Sequence, residues 1–140
     1  MQDRPTAVEL LRAAQEFCER DLGPNLTGRL RFHVRVLQNV LGILEREWDG
    51  EESALTSEWA RLNNLLGEDD QRPTTLKGLT EQVRAWNVRL ATKIRAGEFD
   101  ERSDDVLAAL YETVSEKLAI ANPNYASSAT STGASARSTR

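Results

Sequence analysis

The chain is poor in side chains that do chemistry, and those it has are badly placed for it. It holds one histidine, His33, and one cysteine, Cys18, among 140 residues. Structural zinc asks for several Cys or His ligands, and a helical di-iron site asks for Glu-x-x-His pairs on facing helices. Here Leu30 stands three residues before His33. A phosphotransferase needs a glycine-rich loop over the phosphates, a neutralising lysine and acids for magnesium, and no Gly-x-Gly-x-x-Gly or Walker-type run is present. We therefore expect no catalytic residue, no metal and no cofactor. A Cys18–His33 nucleophile pair is the formal exception. Cys18 falls on the apolar stripe of its helix, where burial raises a thiol pKa, so a small core residue is the expected role.

His33 lies between Leu30 and Leu37 on a helical wheel and has two readings. It is a buried neutral imidazole bonded to a carboxylate or carbonyl of a neighbouring helix, or it is a contact at a partner's site. The arginines around it also have two. Arg31, Arg35, Asn39 and Arg46 form either a solvated face with local ion pairs or a docking surface for an acidic partner or a phosphate-bearing ligand. Five acids, Glu98, Asp100, Glu101, Asp104 and Asp105, precede the last helix. They complement its positive end and lack the spacing of a calcium loop. Asn25-Leu26-Thr27 matches a glycosylation sequon and Asn122-Pro123-Asn124-Tyr125 an adaptor-binding pattern, but a reducing compartment silences the first and a helix stop explains the second.

Five helices are predicted to position these groups. Thr6 and Glu9 form a capping box for the first, which carries Val8, Leu11, Ala14, Cys18 and Leu22 until Gly23-Pro24. The second runs from about Gly28 to Asp49-Gly50. The third, about Ser53 to Leu66, places Leu55, Trp59, Leu62 and Leu66 on one side and meets Gly67. The fourth, about Thr75 to Ala96, bears Leu76, Leu79, Val83, Trp86, Leu90 and Ile94 before Gly97. The fifth, about Ser103 to Ala121, aligns Val106, Leu110, Val114 and Leu118 and stops at Asn122-Pro123. No alternating apolar run reads as a strand. The expected fold is an all-α, single-domain bundle over residues 1–125, with a long central second helix. Residues 126–140 hold only Ala, Ser, Thr, Gly and Arg; they are expected to be a disordered tail.

The second helix is unusual. Leu30, Val34, Leu37, Leu41, Leu44 and Trp48 make one apolar stripe, and Phe32, Val36, Val40 and Ile43 make a second beside it. Together they span roughly 200°, about twice what a one-sided surface helix requires. Such a helix is either central in its own domain or covered in part by another chain.

Composition narrows the class further. The 18 basic and 22 acidic side chains give a net charge of −4, and without Arg137 and Arg140 the rest of the chain carries −6. That balance argues against nucleic acid and anionic membrane surfaces, which need a basic footprint. Of the cations 15 are arginine, whose planar fork suits carboxylate and phosphate. The longest uncharged apolar run, Val36 to Leu44, falls far short of the roughly 18 residues a membrane span needs. One cysteine and no secretory pattern in Met1–Thr6 give an expected cytoplasmic location.

Several blocks in order resemble one family of small bacterial helical proteins. They are Arg4-Pro5-Thr6-Ala7 with Glu9-Leu10-Leu11; Gly28-Arg29-Leu30, Phe32-His33 and Arg35-Val36; Asn39 with Arg46-Glu47; Ile94-Arg95-Ala96-Gly97; and Lys117-Leu118-Ala119-Ile120 with Asn122-Pro123 and Tyr125. The family is encoded beside aminoglycoside-phosphotransferase-like kinases and acyl-CoA dehydrogenases, and it includes the small accessory subunit of the 4-hydroxyacyl-CoA kinase of levulinate catabolism. The resemblance spans about residues 3–125. It implies a non-catalytic accessory subunit that supports such a kinase, with the acyl-CoA substrate at the interface, and it transfers no catalytic residues. Arg29, Arg31, His33, Arg35, Asn39 and Arg46 are then the expected contacts with the kinase or the CoA phosphates. The alternative is a self-associating, homodimeric helical protein with a structural or small-molecule-binding role and no kinase partner.

Overall fold

The computed structural model describes residues 4–125, and these are all-helical, with no strand among them. The expected tail, 126–140, lies outside the described residues. Four α-helices are present: α1 (Ala7–Phe17), α2 (Gly28–Leu66), α3 (Leu76–Arg95) and α4 (Ser103–Ala121). A π-turn, Cys18–Leu22, and a 3-10 turn, Gly23–Asn25, follow α1, and a second 3-10 turn, Asp100–Arg102, precedes α4.

The count of five helices is corrected to four, because the predicted second and third are one helix of 39 residues. Asp49-Gly50 does not end it. A glycine inside a helix costs only about 1 kcal/mol relative to alanine, and no proline follows to remove a hydrogen bond. Gly50 keeps a negative φ, and a Cβ built there would meet nothing. The real stop is Gly67, at φ +66°. Beyond it the Glu68 N–H bonds back to the Asn63 carbonyl at 3.1 Å, satisfying a carbonyl the helix end leaves open. The end of α3 is built alike, with Gly97 at φ +78° and Glu98 N–H on the Lys93 carbonyl at 3.1 Å.

Helix starts follow the sequence signals closely. Thr6 Oγ1 accepts from Glu9 N–H at 3.2 Å, and the Glu9 carboxylate accepts from Thr6 N–H at 2.7 Å, completing the capping box of α1. Thr75 Oγ1 accepts from Gly78 N–H at 3.1 Å and caps α3.

Chain contacts divide the protein into two compact units. The first takes the chain to Gly50 together with Ile120–Asn122, and the second takes Glu51–Ala119 and the chain from Pro123 on. In the second unit, Leu62 and Leu65 of α2, Leu79, Val83, Trp86 and Leu90 of α3, then Phe99 and Val106, form one buried cluster. The central four of the six stripe positions foreseen for α3 are buried, while Leu76 and Ile94 at its ends are exposed. Trp59 of α2 stacks on Trp86 with ring centroids 5.5 Å apart and donates from Nε1 to Gln82 Oε1 at 2.7 Å. Its indole body is thereby packed and its polar edge satisfied. Across this core Arg61 of α2 grips Glu116 of α4. Hydrogen bonding to that carboxylate, reinforced by the charges of Glu116, Glu112 and Glu58, raises the guanidinium pKa above its ordinary value.

The first unit is held differently. α1 lies against the first half of α2, where Gly42 is buried and a Cβ on it would come within 3.1 Å of Gln15 Nε2. Arg12 reaches Glu45 Oε1 through Nε at 3.1 Å and Nη2 at 2.6 Å, so its pKa too is raised, first by that hydrogen bond and then by the charge of Glu45. Cys18 is buried, as its stripe position suggests, and among the described residues it is the one hydrophobic side chain of the buried core that falls in this unit.

Candidate docking surface on the second helix

The two apolar stripes of α2 meet no second layer within the first unit. Only Val34, Leu41 and Ile43 are half-buried there. Leu30, Phe32 and Trp48 are 62%, 63% and 66% exposed, and Val36, Leu37, Val40 and Leu44 are exposed with them. At about 100° per residue these seven cover an arc of roughly 160°. An 11-residue α1 is too short to cover a stretch of 23 helical residues on more than one side.

The expected polar arc resolves into two lines. Arg31, Arg35 and Asn39 follow one another at i, i+4 and i+8, and all three are exposed. Arg29 and His33 form a second exposed pair, also at i and i+4, on the far side of Phe32 and Val36. Arg29 Nε donates to His33 Nε2 at 3.0 Å, and the imidazole stands edge-on to Phe32 with centroids 5.8 Å apart. The reading of His33 as a buried group bonded to another helix is thus corrected: its neighbours along α2 are too thinly covered to enclose it.

Arg46 separates from the group. Half-buried, it donates from Nε to the Ile120 carbonyl at 2.7 Å, serving one of the open carbonyls at the end of α4. Arg31 and Arg35, by contrast, make no ion pair or hydrogen bond among the described residues. They line an open cleft of about 340 Å³ with Glu19, Pro24, Val34 and Gln38, beneath the turn that follows α1. An exposed apolar strip edged by unpaired arginines has the composition of a protein interface: aromatic and arginine side chains enriched, lysine and carboxylates sparse. Such a patch is a candidate interaction site.

Among the described residues no three His, Cys, Asp or Glu side chains are grouped to hold a metal ion. Of the five acids before and within the first turn of α4, Glu98 pairs with Lys93, and Asp105 Oδ2 accepts from Arg102 Nε at 3.1 Å. No helix among the described residues is long and apolar enough to cross a membrane.

These observations define an all-helical protein whose longest helix offers an uncovered, arginine-edged apolar face. The chain belongs to the DUF6285 family, a domain of unknown function whose model matches residues 24–125, from the turn before α2 to the end of the described residues. No curated protein and no solved structure matches it.

Proposed function

We propose that the chain is a non-catalytic accessory subunit that docks another protein through the first half of α2. The observation that carries this reading is the uncovered arc of Leu30, Phe32, Val36, Leu37, Val40, Leu44 and Trp48. Leaving such a surface in water is costly, at about 25 cal/mol per Å² of apolar area, and a partner removes that cost. The resemblance of Gly28–Val36 and the other blocks supplies the partner: an aminoglycoside-phosphotransferase-like kinase acting on hydroxyacyl-CoA in acid catabolism. Kinases of that class carry their own nucleotide site, so a helical partner contributes acyl-CoA binding surface, closure over substrate or stabilisation of the kinase. In this arrangement Phe32 and Val36 enter the partner, and Arg31, Arg35, Arg29, His33 and Asn39 meet its acidic rim or the CoA phosphates. A cytoplasmic site of action accords with an acyl-CoA substrate and with the single cysteine.

The test is co-expression with an aminoglycoside-phosphotransferase-like kinase from the same genome, followed by co-purification and a kinase assay on hydroxyacyl-CoA with and without this chain. Phe32→Asp, or Arg31→Ala together with Arg35→Ala, should weaken the complex about tenfold or more, or raise the substrate KM, while the circular dichroism of the isolated chain is kept. Unchanged binding and kinetics in both variants would reject the surface. The same uncovered face also suits a second copy of the chain. Light scattering separates the two: a dimer that Phe32→Asp dissolves, with no retention of the kinase, supports the homodimer instead.

A further inference from the structure

Arg29, His33, Val36, Val40, Ile43 and Glu47 of α2 follow one another at alternating steps of four and three residues. That is the spacing of a coiled-coil seam, along which two helices share one line of contact. All are exposed except Ile43, which is half-buried. The seam lies roughly 140° around α2 from Gly42, at about 100° per residue, and Gly42 is where Gln15 of α1 approaches. Nothing from α1 therefore covers it. Its two ends carry opposite charges, Arg29 at the start and Glu47 at the finish, and Glu47 makes no ion pair or hydrogen bond among the described residues.

The charges select an occupant. A second copy laid parallel would set Arg29 against Arg29 and Glu47 against Glu47, and like charges face to face are unfavourable. Laid antiparallel about a two-fold axis level with Gln38, the same copy sets Arg29 against Glu47, His33 against Ile43 and Val36 against Val40, each pair occurring twice. On one flank Leu30 then meets Leu44, and Leu37 meets its own counterpart. The seven exposed apolar side chains of this stretch, with the polar groups between them, offer on the order of the 800 Å² that each partner brings to a standard interface. We propose that, when no other protein occupies it, the first half of α2 pairs antiparallel with the same stretch of a second copy, Arg29 of each against Glu47 of the other. This rests on the reading of the face as a docking surface and adds its self-complementary register. One face cannot hold both, so the second copy and the kinase exclude one another. Self-pairing is measured on the chain alone and kinase docking by co-purification, so either can fail without the other.

Sedimentation equilibrium of the full chain at about 100 µM should show a dimer. Arg29→Glu and Glu47→Arg each alter an exposed residue and create two like-charge contacts in the pair, so each should weaken it about tenfold or more. Mixed in equal amounts, the two variants bring opposite charges together at both ends and should recover the wild-type affinity to within about threefold. A chain carrying both substitutions should recover it as well. In a parallel pair all four chains set like charge against like, and the substitutions would leave the affinity unchanged. Val40→Asp, placed against Val36 of the second copy, should leave a monomer and decides the matter if a charge variant fails to fold. A monomeric wild type, single charge variants that pair as tightly as it does, a mixture that does not recover, or a dimer that survives Val40→Asp would overturn the proposal.

Discussion

Arg61 of α2 meets Glu116 of α4 fork to fork, Nη1 to Oε1 at 3.0 Å and Nη2 to Oε2 at 2.5 Å, while its Nε donates to Thr113 Oγ1 at 3.2 Å. The arginine is largely buried and the glutamate about a third exposed, so the pair sits between the weak surface case and the strong buried one. Glu116→Ala should lower stability by about 1–2 kcal/mol in urea denaturation. A double-mutant cycle with Arg61→Ala should return a coupling near 1 kcal/mol, and a coupling near zero would show that the fork adds nothing.

Two glycines of α2 should respond oppositely to the same change. Gly50 has ordinary helical backbone and open space around its Cβ position, so Gly50→Ala should raise stability by about 0.5–1 kcal/mol. Gly67 holds φ +66°, where a side chain strains the turn, and Gly67→Ala should lower it by about 1 kcal/mol. Melting curves of the two variants should therefore move apart; a fall for Gly50→Ala would mean that the helix is interrupted there.

Gly42 lies on the face of α2 that meets Gln15 of α1. In Gly42→Ala the new methyl meets only the movable ends of Gln15 and Arg46, at 3.1 and 3.2 Å, and little change is expected. Gly42→Leu cannot be absorbed so easily and should cost about 1–3 kcal/mol. Equal losses in the two variants would show that close approach is not the cause.

Cys18 is 4% exposed and should resist an aromatic disulfide reagent until the chain unfolds. Its labelling rate under native conditions should track local opening and accelerate in Gly42→Leu. Rapid labelling of the native chain would contradict the burial.

What the sequence made legible, and what it hid, divides along physical lines. Caps and stops at Thr6, Glu9, Gly67 and Gly97 were readable because each rests on local backbone chemistry. The α3 stripe was readable because its central residues face partners on both sides, α2 and α4. Gly50 misled because a glycine near Asp49 resembles a helix end, yet its cost is small beside the packing of Leu55 and Leu62 further along α2. The apolar surplus of Leu30–Trp48 was plain in the pattern, but a pattern measures how much surface wants cover and not what covers it. The buried Glu58, which accepts from Asn87 and Lys117, was hidden among 22 acids. Its only mark is its place three residues after Leu55 and four before Leu62, on the stripe itself.

The bond from Arg46 to the Ile120 carbonyl joins residues 74 positions apart within the first unit. This bond within the first unit therefore forms only once α4 has been synthesised. Until α4 is made, α1 and the first half of α2 lack that tie. A chain cut before Ile120 should for that reason lose order near its N-terminus, far from the cut.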